Sequence, residues 1–158
     1  MKKRTGFTLI ELLVVMAIMA ILTIITVSQF TTARVKSYDA QRKADLSSVS
    51  KALLMYYADY QRFPVASEID LLNGGSFTDA SGYVYMKVMP KEVRQKDYPY
   101  CYMYLNGGNS FAVLGHLENT QDSDGFRKDN NEVRNITCGG HSGYNFGFTS
   151  PDISMDEI

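Results

Sequence analysis

Residues 6–22 read GFTLIELLVVMAIMAIL, and this stretch decides the fold class. It places a single carboxylate, Glu11, near the start of an apolar run, and no other charged side chain follows until Arg34. A helix from Phe7 to Val27 would rise roughly 31 Å, which covers a hydrocarbon core of about 30 Å. The run therefore predicts one helix that crosses a membrane.

The residues before the apolar run are basic: Lys2, Lys3 and Arg4. Positive charge on this side predicts that the N-terminus stays in the cytoplasm and that the rest of the chain is exported. A cleaved secretory signal is one alternative, but it has a shorter apolar core followed by a small-residue cleavage site, whereas Gly6 precedes the run. A buried core helix would be exceptionally apolar for so small a domain. A plain signal anchor leaves Glu11 unexplained, because a carboxylate in a spanning helix is costly.

The segment from Gly6 to Glu11 resembles the prepilin (class III) signal, which type IV pilins and type II secretion pseudopilins share. It has a basic leader, a glycine before the cut, Phe7 after the cut, a glutamate at the fifth mature position and an unbroken apolar run. The resemblance implies that a prepilin peptidase cuts after Gly6 and methylates the new amine of Phe7. The apolar segment then stays in the mature protein.

The resemblance also implies an organisation in three parts. Residues 1–6 would be the leader, residues 7–30 the transmembrane and filament-core helix, and residues 31–158 an exported head that includes the second half of the long helix. The mature chain would span the inner or cytoplasmic membrane once and then enter a periplasmic or cell-surface filament. Its partners would be further copies of itself in a helical filament, the prepilin peptidase, an inner-membrane assembly platform and minor pilins.

Glu11 gains a role once the leader is removed. Cleavage creates a cationic amine at Phe7, four residues before Glu11 and on the same helical face. In a filament core the carboxylate of one subunit can pair with the amine of its neighbour. Two unit charges about 4 Å apart attract by roughly 4 kcal/mol at an effective dielectric of about 20, which offsets much of the burial cost. A misplaced subunit would leave both charges unpaired, so Glu11 is predicted to set the register of assembly.

Beyond Arg34 the composition is mixed, and apolar or aromatic positions recur at spacings of three and four. This pattern predicts that the helix continues, packs one stripe against a sheet and ends before Pro64. The charged positions are expected on solvated or subunit-facing sides, with Asp39 and Lys43 as an i,i+4 ion pair. The stripe comprises Val35, Tyr38, Arg42, Leu46, Val49, Leu53, Tyr56, Tyr60 and Phe63.

Residues 39–46 read DAQRKADL, residues 52–57 read ALLMYY and residues 62–64 read RFP. These segments resemble the major pseudopilin group of type II secretion systems, which forms a short piston-like fibre. A surface type IV pilin for adhesion, motility or DNA uptake is the alternative. Many members carry a proline in the second half of the membrane segment, where this chain reads TVSQ at residues 26–29. The resemblance therefore does not extend to a proline kink.

The clearest β pattern lies between Tyr98 and Leu117. Two alternating runs flank the sequence NGGN at residues 106–109, which predicts an antiparallel hairpin. The expected fold is therefore α+β, with the long N-terminal helix packed on a small antiparallel head. The tyrosine stripe of the first run predicts cross-strand packing, because no basic groove for nucleic acid accompanies it. A short helix is predicted from Ser67, and residues 83–86 form either a short strand or an irregular loop.

Residues 120–125 read TQDSDG, which matches only the middle of an EF-hand loop. Its first and twelfth positions, Thr120 and Asn131, lack the Asp and the bidentate Glu of a strong calcium loop. On its own the segment is typical of a turn with exposed acids. Major pseudopilins commonly place a calcium site in the loop after the hairpin, so the resemblance implies Asp122 and Asp124 as calcium ligands. Both interpretations stay open, and no other cofactor is expected.

Cys101 and Cys138 lie in the part predicted to be exported, where a disulfide is permitted. Two reduced, buried thiols are the alternative.

The sequence favours a structural protein over an enzyme. His141 and Ser142 lie in a glycine-rich segment, but Tyr144 stands where a nucleophile elbow needs its second glycine. No phosphate-cradling loop or zinc-spaced cluster is present in the sequence, and a net charge of −1 gives no case for nucleic-acid binding. An anchored hydrolase that uses His141 and Ser142, and a signal-anchored binding module, are the rival classes.

Overall fold

The computed structural model describes residues 6–69, 74–92, 94–126, 134–154 and 158, apart from the side chains of Val27 and Ser28. The chain divides into two compact units, Met1–Ser37 and Tyr38–Ile158. The second unit begins at Tyr38, whereas the head predicted from the sequence began at residue 31. The fold class is α+β, as predicted, with one long N-terminal helix and small antiparallel sheets.

Helix α1 runs Leu9–Tyr60 and is, in the part of the chain that the structure describes, the one helix long and apolar enough to cross a membrane. Its apolar N-terminal segment is exposed on every side, with Leu9 81% and Ile24 74% exposed. A helix that is apolar all round needs lipid or other helices around it. The helix ends just before Phe63 and Pro64, as predicted, because proline excludes helical backbone at the residue that precedes it.

Within the described residues, seven short strands form three antiparallel sheets, ordered β1-β2, β3-β4-β7 and β5-β6. The predicted hairpin is confirmed, because β3 and β4 pair from Cys101 opposite Leu114 to Leu105 opposite Ser110. Residues 83–86 contain a strand, so the strand interpretation is correct for them. The strands are β1 Phe77–Thr78, β2 Val84–Met86, β3 Cys101–Leu105, β4 Ser110–Gly115, β5 Ile136–Cys138, β6 His141–Tyr144 and β7 Phe146–Thr149.

Strand β4 organises the core of the second unit because it is buried along its whole length. Alternate side chains of a strand point to opposite faces. Phe111 and Val113 therefore join a cluster built on the buried face of α1, which includes Leu46, Val49 and Leu53. On the other face, Ala112 and Leu114 pack with side chains of β5 and β6, among them Ile136, Cys138 and Tyr144.

The tyrosine stripe packs across the hairpin, as predicted, because Tyr102 lies opposite Val113 and both belong to the same core cluster. The tyrosine hydroxyls also form hydrogen bonds outside the hairpin: Tyr100 donates to Asp45 of α1 and Tyr102 donates to the carbonyl of Pro64.

Two local predictions need correction. The short helix is a 3₁₀ turn, Ala66–Glu68, so Ser67 lies inside it rather than at its N-cap, and residues 70–73 lie outside the described residues. Residues 141–144 form strand β6 rather than a glycine-rich loop.

Candidate functional site

The predicted cleavage site lies immediately before helix α1. Gly6, Phe7 and Thr8 are outside the helix, and the side chain of Phe7 is 87% exposed. The basic residues 1–5 lie outside the described part of the chain. An exposed, non-helical peptide bond between Gly6 and Phe7 is the form that a peptidase can bind.

Thr8 and Glu11 form a capping box at the start of α1. The N–H and the hydroxyl of Thr8 each donate to Glu11 Oε2 at 2.8 Å, and the N–H of Glu11 donates to Thr8 Oγ1 at 3.3 Å. This arrangement satisfies backbone donors that a helix N-terminus leaves without partners. It also places the negative charge where the helix dipole favours it.

The capping box gives Thr8 a role that the sequence reasoning missed, although the signal was present as Thr-x-x-Glu just before an apolar run. Both capping hydrogen bonds to the carboxylate use Oε2. Among the described residues, no hydrogen-bond donor reaches Oε1 of Glu11, and the residue is exposed. Oε2 therefore caps the start of the helix, and the exposed carboxylate keeps a second oxygen that can accept a further hydrogen bond.

A second charged cluster lies in the head, around Arg42. Its guanidinium donates to Asp39 at 2.7 Å, to Glu92 at 2.6 Å and to Glu118 at 2.9 Å. Arg42 and Asp39 are 3% and 1% exposed. The burial of Arg42 agrees with its predicted place in the packed stripe, whereas the expectation of a solvated or subunit-facing position is wrong for Asp39. Asp39 also accepts the backbone N–H groups of Glu118 and Asn119, which fixes the loop after β4 to the helix.

Burial and ion pairing shift the pKa values of this cluster in opposite directions. Burial lowers the pKa of Arg42, but its hydrogen bonds to the carboxylates of Glu92 and Glu118 reverse the effect and hold the pKa above its ordinary value. Burial raises the pKa of Glu92 and of Glu118, yet the hydrogen bond from Arg42 outweighs it, so both pKa values lie below the ordinary 4.5. All three groups are therefore charged at neutral pH, and the cluster joins two loops to one turn of α1.

Residues 117–126, called the acidic turn from here on, contain both predicted calcium ligands. Lys43 binds them: its Nζ lies 2.5 Å from Asp122 Oδ1 and 2.7 Å from Asp124 Oδ2. Burial lowers the pKa of Lys43, but the hydrogen bonds that its ammonium donates to the two aspartates outweigh the effect of burial and raise the pKa. The predicted Asp39–Lys43 pair is wrong, because Asp39 pairs with Arg42.

The described residues of the acidic turn do not by themselves form a calcium site. Calcium takes about six to eight oxygen ligands, and within the described residues no group of three or more acidic, histidine or cysteine side chains could hold a metal. An ammonium group already bridges Asp122 and Asp124. Asn131, the last position of the EF-hand comparison, lies outside the described residues. The calcium site inferred from the family resemblance stays a prediction.

The remaining candidate residues lie on the far face of β4. Cys101 and Cys138 are joined by a disulfide with their Cα atoms 6.2 Å apart, which ties β3 to β5. His141 and Ser142 are both exposed on β6, near the turn that follows β5.

A family model described as "Prokaryotic N-terminal methylation motif" matches residues 1–27. This match covers the residues that the structure places around the capping box and in the exposed apolar segment. The motif indicates a type IV pilin-like subunit. No curated protein and no solved structure matches the chain.

For a pilin-like subunit, the motif implies processing by a prepilin peptidase, association with a membrane and assembly into a filament. It also points to a structural role rather than to catalysis. The N-terminal segment of helix α1 agrees with membrane association, because it is long and apolar enough to cross a membrane and its apolar side chains are exposed.

Proposed function

We propose that this pilin-like chain is the structural subunit of a type IV pilus-like filament and that it assembles through the N-terminal half of α1. The observation that carries the proposal is a fully exposed apolar helix with one carboxylate at its start. Lipid covers such a surface before assembly, and neighbouring helices cover it in a filament. The prepilin-type motif on the same residues supports this interpretation.

Glu11 is the residue that gives the assembly its register. Its Oε2 caps its own helix, and its second carboxylate oxygen can accept a hydrogen bond from the methylated amine of Phe7 of a neighbouring subunit. At about 4 Å this pair is worth roughly 4 kcal/mol at an effective dielectric of about 20. Apolar packing alone has no such positional preference, because one apolar side chain can replace another along the helix.

Neutral substitutions at Glu11 test the register role. Glu11→Gln keeps the shape and can still accept hydrogen bonds from Thr8, whereas Glu11→Val removes both the cap and the charge. Membrane insertion needs only apolarity, so both variants should reach the membrane fraction at the wild-type level. Fibre yield, measured by shearing and by cross-linking between subunits, should fall in both.

The pair of variants separates charge from capping, and Thr8→Val serves as the matched control because it removes the cap but keeps the carboxylate. Wild-type fibre yield with Glu11→Gln would rule out the register role. Loss of fibres in Thr8→Val and Glu11→Val but not in Glu11→Gln would assign Glu11 to capping alone.

We propose further that the filament is a type II secretion-like pseudopilus and that this chain is its major pseudopilin. The proposal rests on the RKADL helix, the hairpin and the acidic loop. In support, Arg42 and Lys43 of RKADL hold the segment after the hairpin, so the three features form one structural unit. A surface pilin for adhesion, motility or DNA uptake is the second candidate.

Deletion of the gene in its native host distinguishes the two candidates. A major pseudopilin is required for secretion of exoproteins, so the culture medium of the deletion strain should lose them while surface pili remain. Normal exoprotein secretion together with lost surface pili would favour the surface pilin.

A further inference from the structure

Asn145 closes the acidic turn at both ends. The N–H of Leu117 donates to Asn145 Oδ1 at 2.7 Å, and the Asn145 side-chain amide donates to the Leu117 carbonyl at 3.0 Å. The N–H of Phe126, at the other end, donates to the Asn145 carbonyl at 2.7 Å. Asn145 is 3% exposed, so water competes weakly for these hydrogen bonds. A single buried residue therefore fixes both ends of the turn.

Lys43 fills the middle of the acidic turn. Its ammonium lies between carboxylate oxygens of Asp122 and Asp124, and 5.7 Å from the centre of the Phe146 ring. Asp122 Oδ1 also accepts the N–H of Asp124 at 3.0 Å, which holds the first carboxylate in place. The lysine side chain is 24% exposed, so it is held against the protein rather than extended into solvent.

Arg42, the residue before Lys43 in α1, helps to position the acidic turn for this contact. Arg42 binds Glu118, and Asp39 accepts the backbone N–H groups of Glu118 and Asn119, so the start of the acidic turn is fixed next to the helix. Lys43, one position further along, can then reach the carboxylates that follow. The two consecutive basic residues hold two consecutive parts of the same segment.

We propose that Lys43 is the resident counter-ion of the acidic turn, so that helix α1 rather than a metal ion orders this turn. Two carboxylates in one short turn repel each other unless a cation lies between them, and the ammonium supplies that cation. A divalent ion at the same oxygens would lie beside the ammonium, and like charges repel, so it could bind only after Lys43 leaves. The inference concerns the head alone and does not depend on filament function.

Hydrogen–deuterium exchange on the full chain in detergent micelles tests the proposal. Exchange is followed in a peptide that covers residues 117–126, in millimolar calcium and in chelator. Lys43→Met removes the charge at similar length, and Lys51→Met, on an exposed part of the same helix, is the matched control. Thermal unfolding is followed by tyrosine fluorescence, which reports on the head because the chain lacks tryptophan and its 11 tyrosines begin at Tyr38.

The wild-type chain should give the same exchange and the same melting temperature with calcium and with chelator. Lys43→Met should exchange about fivefold faster in the acidic turn and melt about 3 °C lower in chelator, whereas Lys51→Met should match the wild type. If Lys43→Met does not fold, Asp124→Asn provides the same test, because it removes the more exposed partner of the ammonium. Slower exchange and a higher melting temperature of the wild type in calcium would overturn the proposal. So would identical behaviour of the two lysine variants.

Discussion

Arg42→Met should destabilise the head by about 3 kcal/mol, because it leaves carboxylates without their cation inside the protein. Asp39 is 1% exposed and the Glu92 side chain is 6% exposed, so water cannot solvate the charges that the variant uncovers. Asp39 keeps two backbone hydrogen bonds, which places the expected loss at the lower end of the range for a broken buried pair. For a domain of this size the melting temperature should fall by about 10 °C.

Thermal unfolding of the full chain, followed by tyrosine fluorescence, measures this change. Arg62→Met is the matched control, because Arg62 forms an ion pair with Glu68 in which both side chains are well exposed, 42% and 38%. Such a pair contributes about 1 kcal/mol or less. Equal melting temperatures for the two arginine variants would refute the argument that burial makes the Arg42 cluster important.

Three further predictions concern the head. Glu92 and Glu118 have lowered pKa values in the folded state, so their stabilising contribution is present above pH 4.5 and is lost as the pH falls through these lowered pKa values. A fall in pH should therefore destabilise the wild type more than it destabilises Arg42→Met. Gly147→Ala should cost about 2 kcal/mol by denaturant unfolding, because the new Cβ would collide with the backbone oxygen of Val113 in β4. Gly75→Ala, at a position with open space, should leave stability unchanged. Reduction of the Cys101–Cys138 disulfide should lower the free energy of unfolding by about 4 kcal/mol. If both thiols can be alkylated in freshly exported protein without prior reduction, the exported protein does not contain this disulfide.

The sequence predicted those features of the fold that repeat along the chain. The unbroken apolar run predicted the membrane helix, and the alternating segments about NGGN predicted the β3–β4 hairpin. The apolar positions of the helix from Leu46 to Tyr56 belong to the core, as the spacing indicated. Each of these features depends on local periodicity, which a sequence displays directly.

The sequence could not predict contacts between distant segments. Asp39 and Lys43 have the spacing of a helical ion pair, but tertiary contacts compete with local ones. The carboxylate of Asp39 accepts hydrogen bonds from backbone N–H groups of the loop after β4, and the ammonium of Lys43 donates to the carboxylates of the acidic turn. Strands β5 to β7 were missed because they are only three or four residues long, and β6 and β7 each contain a glycine, so their alternation is short.

At the N-terminus, unlike in the head, the contacts are between residues that are close in the sequence. Thr8 lies three residues before Glu11, and the capping box that they form is a local structure that the sequence already contains. The role of Glu11 between subunits is a separate matter, because it depends on a second copy of the chain.

Mass spectrometry of the N-terminal peptide, taken from fibres of the native host, tests the central claim most directly. The account predicts a chain that begins at N-methyl-Phe7, because the peptide bond after Gly6 is exposed before the helix and the motif covers these residues. Assembled fibres whose subunits still begin at Met1 would contradict it.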